Sequence, residues 1–158
     1  MDAATVAGSI ATVTIQRMDH VGVVVDDLTG AIEFFEALGL QVDGQVMELG
    51  DARVDRILAL EGVKTKVAFL RTPDGHGALE VIEYLSPRHE GEERRHPANV
   101  PGLRHVTFAV DDLEATKERL LAKGGEMVGE VVNYDDSYLL GYVYGPSGII
   151  VELAEKLG

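Results

Sequence analysis

Two stretches of the sequence repeat each other and decide the fold. Residues 18–28 read Met-Asp-His-Val-Gly-Val-Val-Val-Asp-Asp-Leu, and residues 103–113 read Leu-Arg-His-Val-Thr-Phe-Ala-Val-Asp-Asp-Leu. Both contain His-Val and end in Val-Asp-Asp-Leu, so His20 and His105 occupy the same place in the two copies. A repeat with so long a period predicts two similar modules in one chain, and each further motif is therefore expected in duplicate.

Composition sets the broad class of protein. The chain has 158 residues, of which 46% are hydrophobic, and this suits one compact domain or two fused small modules with a substantial core. The formal net charge of −13 disfavours nucleic acids and anionic membrane surfaces as partners, because both attract clustered Lys and Arg. Because the chain has no cysteine, any metal ligands must be imidazoles and carboxylates. A small organic molecule or another protein is the expected partner.

The amino-terminal residues 1–16 are rich in Ala, Thr and Val, and the first basic residue is Arg17. They lack the features of a signal peptide, and no segment of the sequence is long and apolar enough to span a bilayer. We therefore expect a cytoplasmic protein. We interpret residues 1–16 as a tail or as an additional strand.

Residues 17–86 form the first predicted module. Alternating valines predict that residues 15–26 form a strand with one face toward the core. Helical spacing predicts a helix over residues 28–38, ended by Gly39, and strand patterning predicts strands over residues 40–49, 64–71 and 78–85. The first module therefore has the order strand, helix, strand, strand, strand.

Residues 50–62 interrupt the strands with the spacing of a short amphipathic helix. We interpret this insertion as an element that covers the surface. The alternative is a lid whose Arg53 and Arg56 bind an anionic substrate.

Residues 87–102 contain three prolines and a run of charged residues, a composition that predicts a solvated linker. We interpret His89 and His96, which lie in this linker, as surface residues, and His76, which lies beside the turn after Pro73, in the same way. Residues 103–158 then repeat the plan of the first module. The pattern predicts a helix over residues 113–123 and strands over residues 105–111, 126–132, 138–144 and 149–154.

The repeat singles out four residues. In each module the first strand begins with a histidine, and the last strand carries a glutamate on the face opposite its core residues. Two modules related by a pseudo-twofold axis would bring these side chains to one concave surface. The set is His20, Glu80, His105 and Glu152. Two further recurring glutamates, Glu83 and Glu155, fall near the strand ends, and we interpret them as solvated.

Two imidazoles and two carboxylates suit a borderline divalent ion such as Zn, Ni, Co, Mn or Fe. An octahedral ion would keep two positions for water or substrate oxygens, which favours catalysis over a structural role. The alternative is that both histidines are satisfied polar residues and that both glutamates face water. The joint recurrence of both residue types favours the metal site.

These motifs resemble the vicinal oxygen chelate superfamily, which contains glyoxalase I, methylmalonyl-CoA epimerase, extradiol dioxygenases and bleomycin-resistance proteins. The resemblance extends from about Arg17 to Leu157 and includes Leu79-Glu80-Val81 and the pair Pro146-Ser147-Gly148 and Val151-Glu152-Leu153. It implies an α+β fold in which two tandem βαβββ modules form a cup-shaped mixed sheet with helices on the convex side. It also implies a divalent metal at the four positions named above.

The resemblance implies several possible functions. The full ligand set favours proton transfer of the glyoxalase I or epimerase kind, in which a substrate chelated through vicinal oxygens reacts through an enediolate. Either Glu152 or Glu80 would be the base. The alternatives are a binding protein of the resistance type, which holds a ligand without turnover, and an iron-dependent extradiol dioxygenase, which a fourth protein ligand disfavours. Family members are often homodimers, and the site can lie within one chain or between two.

Overall fold

The computed structural model describes residues 15–91 and 95–158. Most of the predicted tail lies outside these residues. The first module contains β1 (Val21–Val24), α1 (Leu28–Leu38), β2 (Gln41–Leu49), α2 (Ala52–Leu58), β3 (Lys64–Arg71) and β4 (Ala78–Ser86). The second module contains β5 (His105–Ala109), α3 (Leu113–Ala122), β6 (Glu126–Met127), β7 (Val132–Tyr134), β8 (Tyr138–Tyr144) and β9 (Ile150–Lys156).

Within the described residues the strands form two mixed sheets, one from each module. The first has the order β1-β4-β3-β2 and the second has the order β5-β9-β8-β6, with β7 also paired to β8. In each sheet the first strand of the module is parallel to the last, whereas the other pairs are antiparallel. The predicted α+β fold of two tandem modules is confirmed.

The core lies between the helices and one face of each sheet, and it is continuous across the two modules. From the first module it contains Phe35, Leu38 and Val81, and from the second it contains Leu120 and Leu153, all less than 9% exposed. Helices α1 and α3 pack against each other. Because side chains alternate along a strand, the opposite face of each sheet is left for His20 and Glu80 and for their counterparts.

Two predicted strands differ from those observed. The first strand begins at Val21 rather than at residue 15, because its pairing with β4 begins where Val21 meets Leu79. The strand predicted over residues 126–132 is divided into β6 and β7. Gly129, a poor strand former, lies in the gap. In the described part of the chain, no helix is long and apolar enough to cross a membrane.

Candidate metal centre

The first histidine and glutamate form a close pair. His20 directly precedes β1, and Glu80 lies in the adjacent parallel strand β4. Nε2 of His20 is 2.9 Å from Oε2 of Glu80, and the side chains are 32% and 24% exposed. The parallel pairing of a first and a last strand therefore produces the contact that the repeat predicted within this module.

His20 is oriented by two further side chains. Its Nδ1 lies 2.8 Å from Oδ2 of Asp19, and the edge of its ring meets Phe69 in β3 at a centroid distance of 5.3 Å. The hydrogen bond to Asp19 raises the pKa of His20, burial opposes this rise, and the charge of Glu80 adds to it. When Nδ1 donates to a carboxylate, Nε2 is left as the nitrogen that can bind a metal.

The second pair has the same construction in the second module. Nε2 of His105 is 3.3 Å from Oε2 of Glu152, and Glu152 is the more buried partner at 13% exposed. The ring of Tyr142 in β8 meets His105 edge to face at 5.2 Å. Thr107 donates a hydrogen bond of 2.5 Å from Oγ1 to Oε2 of Glu152.

Tyr142 is also coupled to Glu152. Burial, the negative charge of Glu152 and a hydrogen bond to that carboxylate all raise the pKa of Tyr142. Each of these causes stabilises the protonated phenol. The phenol of Tyr142 therefore stays protonated beside Glu152.

The two pairs do not merge into one cluster in this chain. Across residues 15–91 and 95–158, no group of three or more His, Asp or Glu side chains is arranged to hold a metal ion. The structure brings His20 to Glu80 and His105 to Glu152, but it does not bring one pair to the other. That all four form one site stays a prediction.

The interpretation of Glu83 and Glu155 as solvated carboxylates is wrong. Oε2 of Glu83 accepts a hydrogen bond of 3.1 Å from the backbone N–H of Leu28, at the start of α1. Oε2 of Glu155 accepts one of 2.6 Å from Leu113, at the start of α3. Both glutamates extend toward the helices because their position on the strand alternates with that of the pair-forming glutamates. They satisfy helix N-termini in both modules.

The predicted surface histidines are exposed, and the insertion adds no residue to either pair. His76, His89 and His96 all lie at the surface. Helix α2 has no buried residue. The guanidinium of Arg53 binds Asp51, the N-cap of its own helix, with Nη2 2.6 Å from Oδ2. Both interpretations of the insertion, as a surface cover and as a lid, stay predictions.

Sequence reasoning missed the side chains that surround the pairs, namely Asp19, Phe69, Thr107 and Tyr142. The repeat contained a signal for two of them. Phe69 and Tyr142 each lie beside the glutamate of their module, Phe69 opposite Glu80 and Tyr142 opposite Glu152. An aromatic residue at the same distance before each Pro-X-Gly turn could have been found by extending the alignment of the two copies.

A cavity of about 780 Å³ lies at the far end of the strands that carry the first pair. Val24 in β1 and Tyr84 in β4 line it, together with Leu60, Pro87 and Arg88. Val24 and Tyr84 share the sheet face of His20 and Glu80, because each is an even number of residues along its strand. A cavity of this size and mainly apolar lining could hold the body of a small ligand.

Comparison with known proteins identifies the family. The sequence matches the Glyoxalase/Bleomycin resistance protein/Dioxygenase superfamily over residues 17–153. The chain belongs to this superfamily. It is 38% identical to a glyoxalase family protein from Bacillus cereus, whose crystal structure superposes with a TM-score of 0.88 over 95% of this chain and 100% of that chain.

Other relatives of this superfamily member are more distant. The uncharacterized protein YwbC of Bacillus subtilis is 26% identical over 143 residues, which are 89% of this chain and 98% of YwbC. The fosfomycin resistance protein FosX from Listeria monocytogenes is 19% identical, with a TM-score of 0.58 over 92% of this chain and 95% of that chain. At that identity the likeness to FosX shows the fold alone.

The donor atoms in this superfamily member fit a divalent metal. Each pair offers an imidazole Nε2 beside a carboxylate oxygen, and the chain has no thiolate. Zn, Ni, Co, Mn and Fe all accept this mixture of nitrogen and oxygen ligands. The bond from His20 to Asp19 is also the arrangement that orients metal-binding histidines in proteins. Each module therefore supplies one imidazole and one carboxylate of the predicted ligand set.

Proposed function

We propose that this protein is a divalent-metal-dependent enzyme of the glyoxalase and epimerase type, which transfers a proton on a small substrate bound through vicinal oxygens. The observation that carries the proposal is the duplicated pair, His20 with Glu80 and His105 with Glu152, at equivalent positions of the two modules. Two independent surface ion pairs would not be expected to recur at one position of a repeat. The family, and the cavity on the same sheet face as the first pair, agree with a small-molecule substrate.

We further propose that the four ligands come together between two chains of a homodimer. Each module presents one pair, and within the described residues the pairs are not gathered by the chain itself. A twofold dimer can place the first module of one subunit against the second module of its partner, which makes two equivalent sites. The partner chain would then complete each ligand set.

The chain's own residues suit proton transfer. His20, His105, Glu80 and Glu152 would hold the metal, which when bound acts as a Lewis acid toward the substrate oxygens. A glutamate carboxylate at the site takes a proton from the carbon next to those oxygens and returns it to the same carbon or to its neighbour. The reaction is an isomerisation with no net oxidation. Asp19 holds the ring of His20 in one orientation.

The test combines metal analysis with substrate exchange. Protein purified without added metal is expected to contain a divalent ion, and His105→Ala is expected to lose it. His76→Ala, at an exposed turn of the first module, is the matched control and should keep the ion. A panel of hemithioacetals and 2-methyl-branched acyl thioesters is then followed by NMR in heavy water. We expect exchange of one C–H above the rate with metal-free protein.

The results separate the candidate functions. Bound metal without exchange on any substrate would contradict the enzyme and leave a binding protein that holds its ligand without turnover. Unchanged metal content in His105→Ala would contradict the ligand set itself. Oxygen consumption with a catechol would instead support the dioxygenase alternative.

A further inference from the structure

A smaller cavity lies between the two sheets, where the first strand of each module meets the other module. It measures about 240 Å³ and is lined by the whole of β1, by residues 103–106 at the start of β5 and by the turn that precedes β9. Within the described residues, β1 pairs only with β4 and β5 pairs only with β9, so each of these strands has one free edge. The cavity therefore lies between two strand edges that do not pair with each other.

The free edges supply backbone donors to this cavity. Val25 donates its N–H to β4, and Val110 donates its N–H to β9. Because N–H groups point to alternate sides along a strand, those of Gly22, Val24 and His105 point away from the paired strands and toward the free edges. A strand edge presents carbonyls as well as N–H groups, so the side chains decide which charge the cavity favours.

The side chains that line the cavity favour an anion. Arg104, His96 and His105 line it, and no Asp or Glu is among its described lining residues. The whole chain has 27 acidic residues against 14 Lys and Arg, and the larger cavity has both Asp26 and Glu90 in its lining. A cavity with a guanidinium, two imidazoles and no carboxylate is therefore a local exception on an acidic protein. Since a guanidinium keeps its charge at any ordinary pH, the cavity attracts negative groups.

The guanidinium of Arg104 has no acceptor in the described part of the chain. Its Nε atom is buried and donates to no oxygen of residues 15–91 and 95–158. Other arginines of the described chain pair with a carboxylate, namely Arg17, Arg53, Arg71, Arg88 and Arg95. A buried donor without an acceptor costs stability, and an oxyanion beside the guanidinium would supply one. The planar fork of an arginine matches carboxylate and phosphate groups.

We propose that this cavity binds an oxyanion, a carboxylate or a phosphate group, and that Arg104 is its main ligand. The imidazole of His96 and the backbone N–H groups of the free edges surround the bound group with further donors. The anion has two possible sources, a free ion or the charged end of the substrate, because His105 of the second pair also lines the cavity. The second source extends the proposed function, whereas binding of the anion does not depend on that function.

Binding is tested first with inorganic phosphate on unmodified, metal-free protein at constant ionic strength. We expect saturable shifts in the backbone amide NMR signals of Gly22, Val24 and His105. The Nε–H signal of Arg104 should shift over the same range of phosphate concentration. These groups surround one cavity, and a general effect of salt would not select them. Shifts scattered over the surface, or no saturable shift at these groups, would overturn the proposal.

The role of Arg104 is tested by substitution. Arg104→Gln removes the charge, and we expect phosphate affinity to fall about 10- to 100-fold, as when a charged hydrogen-bond donor is lost. Lys156→Gln is the matched control, because it makes the same change in net charge at an exposed position, at the end of β9 far from the residue that pairs with His105. Equal losses in the two variants would overturn the role of Arg104. Arg104→Lys, which keeps the charge, should retain more affinity than Arg104→Gln.

Competition separates the two sources of the anion. If the anion is the charged end of the substrate, phosphate should inhibit C–H exchange competitively, and Arg104→Gln should raise KM far more than it lowers kcat. If it is a free ion, phosphate should bind equally well with and without substrate and should raise the Tm as its concentration rises above its Kd. Phosphate binding without exchange on any substrate would contradict the proposed function and leave the anion site. Exchange without phosphate binding would contradict the anion site alone.

Discussion

The carboxylate of Glu155, near the end of β9, accepts a hydrogen bond of 2.6 Å from the backbone N–H of Leu113, at the start of α3. Glu83 and Leu28 repeat this relationship in the first module at 3.1 Å. In both modules the last strand therefore fixes the start of the helix that follows the first strand. This contact ties the start of each helix to the strand that carries the glutamate of the pair.

Loss of this cap should destabilise the fold. Glu155→Ala leaves the N–H of Leu113 without its acceptor in a partly buried position, and we expect a loss of about 1–3 kcal/mol in the free energy of unfolding. Glu118→Ala, on the exposed face of α3, is the matched control and should change stability by less than about 0.5 kcal/mol. Urea denaturation measures both values. Equal effects of the two substitutions would contradict the capping role.

The pH dependence of His20 should reveal its contact with Asp19. In metal-free protein we expect the pKa of His20 to lie above its ordinary value of 6.5, because Asp19 accepts a hydrogen bond from the protonated ring. Since the folded pKa is raised, the stabilisation is complete below the unfolded pKa and is lost as the pH rises through the folded pKa. NMR titration of the ring proton, assigned with His20→Ala, gives the value. Asp19→Asn should lower it, and an unchanged midpoint would contradict the contact.

The junction of the modules should be sensitive to one added methyl group. A Cβ at Gly145 would lie 2.9 Å from the ring of Phe34, which is 1% exposed and cannot move aside freely. We expect Gly145→Ala to cost about 1–3 kcal/mol in unfolding free energy, as overpacking of a core does. Gly129→Ala is the control, because its Cβ would meet nothing within 4 Å. Thermal unfolding that shows no difference between the variants would contradict this packing.

A site shared between subunits predicts complementation. His20→Ala and His105→Ala should each bind no metal alone. When the two chains are mixed and allowed to exchange subunits, one site of each mixed dimer has all four ligands, so about a quarter of all sites should recover metal. Mixing His20→Ala with Glu80→Ala, which damage the same module, is the control and should recover none. Absence of recovery in the first mixture would place the site within one chain.

Much of the fold could be predicted because the sequence is repeated. One module shows alternating valines, a helix ended by Gly39 and a Pro-containing turn, and in a single copy this pattern is weak evidence for a fold. Because the pattern recurs in the other module, each assignment is supported twice. The residues at which strands begin and end were harder to predict. Where β1 begins depends on where β4 offers a partner, and β6 and β7 separate because the strand pairs with β8 only in part.

The sequence predicted which residues belong to the candidate site, but not which side chains surround them. The repeat named His20, Glu80, His105 and Glu152, since side-chain alternation puts each on a known face of its strand. The repeat gave no difference between Glu80 and Glu152. It also led to the prediction that Glu83 and Glu155 are solvated. A helix terminus that needs an acceptor comes from another part of the chain, so its capping partner cannot be found from strand patterning.

The sequence by itself determined that the chain consists of two equivalent modules, each with one histidine and one glutamate opposite its core. Those are properties of local periodicity and of repetition. Only the tertiary structure decided which side chains stand beside each carboxylate, because neighbours across a sheet are set by strand order and register rather than by distance along the chain. That order places Thr107 and Tyr142 around Glu152 and leaves Gly22 and Phe69 beside Glu80.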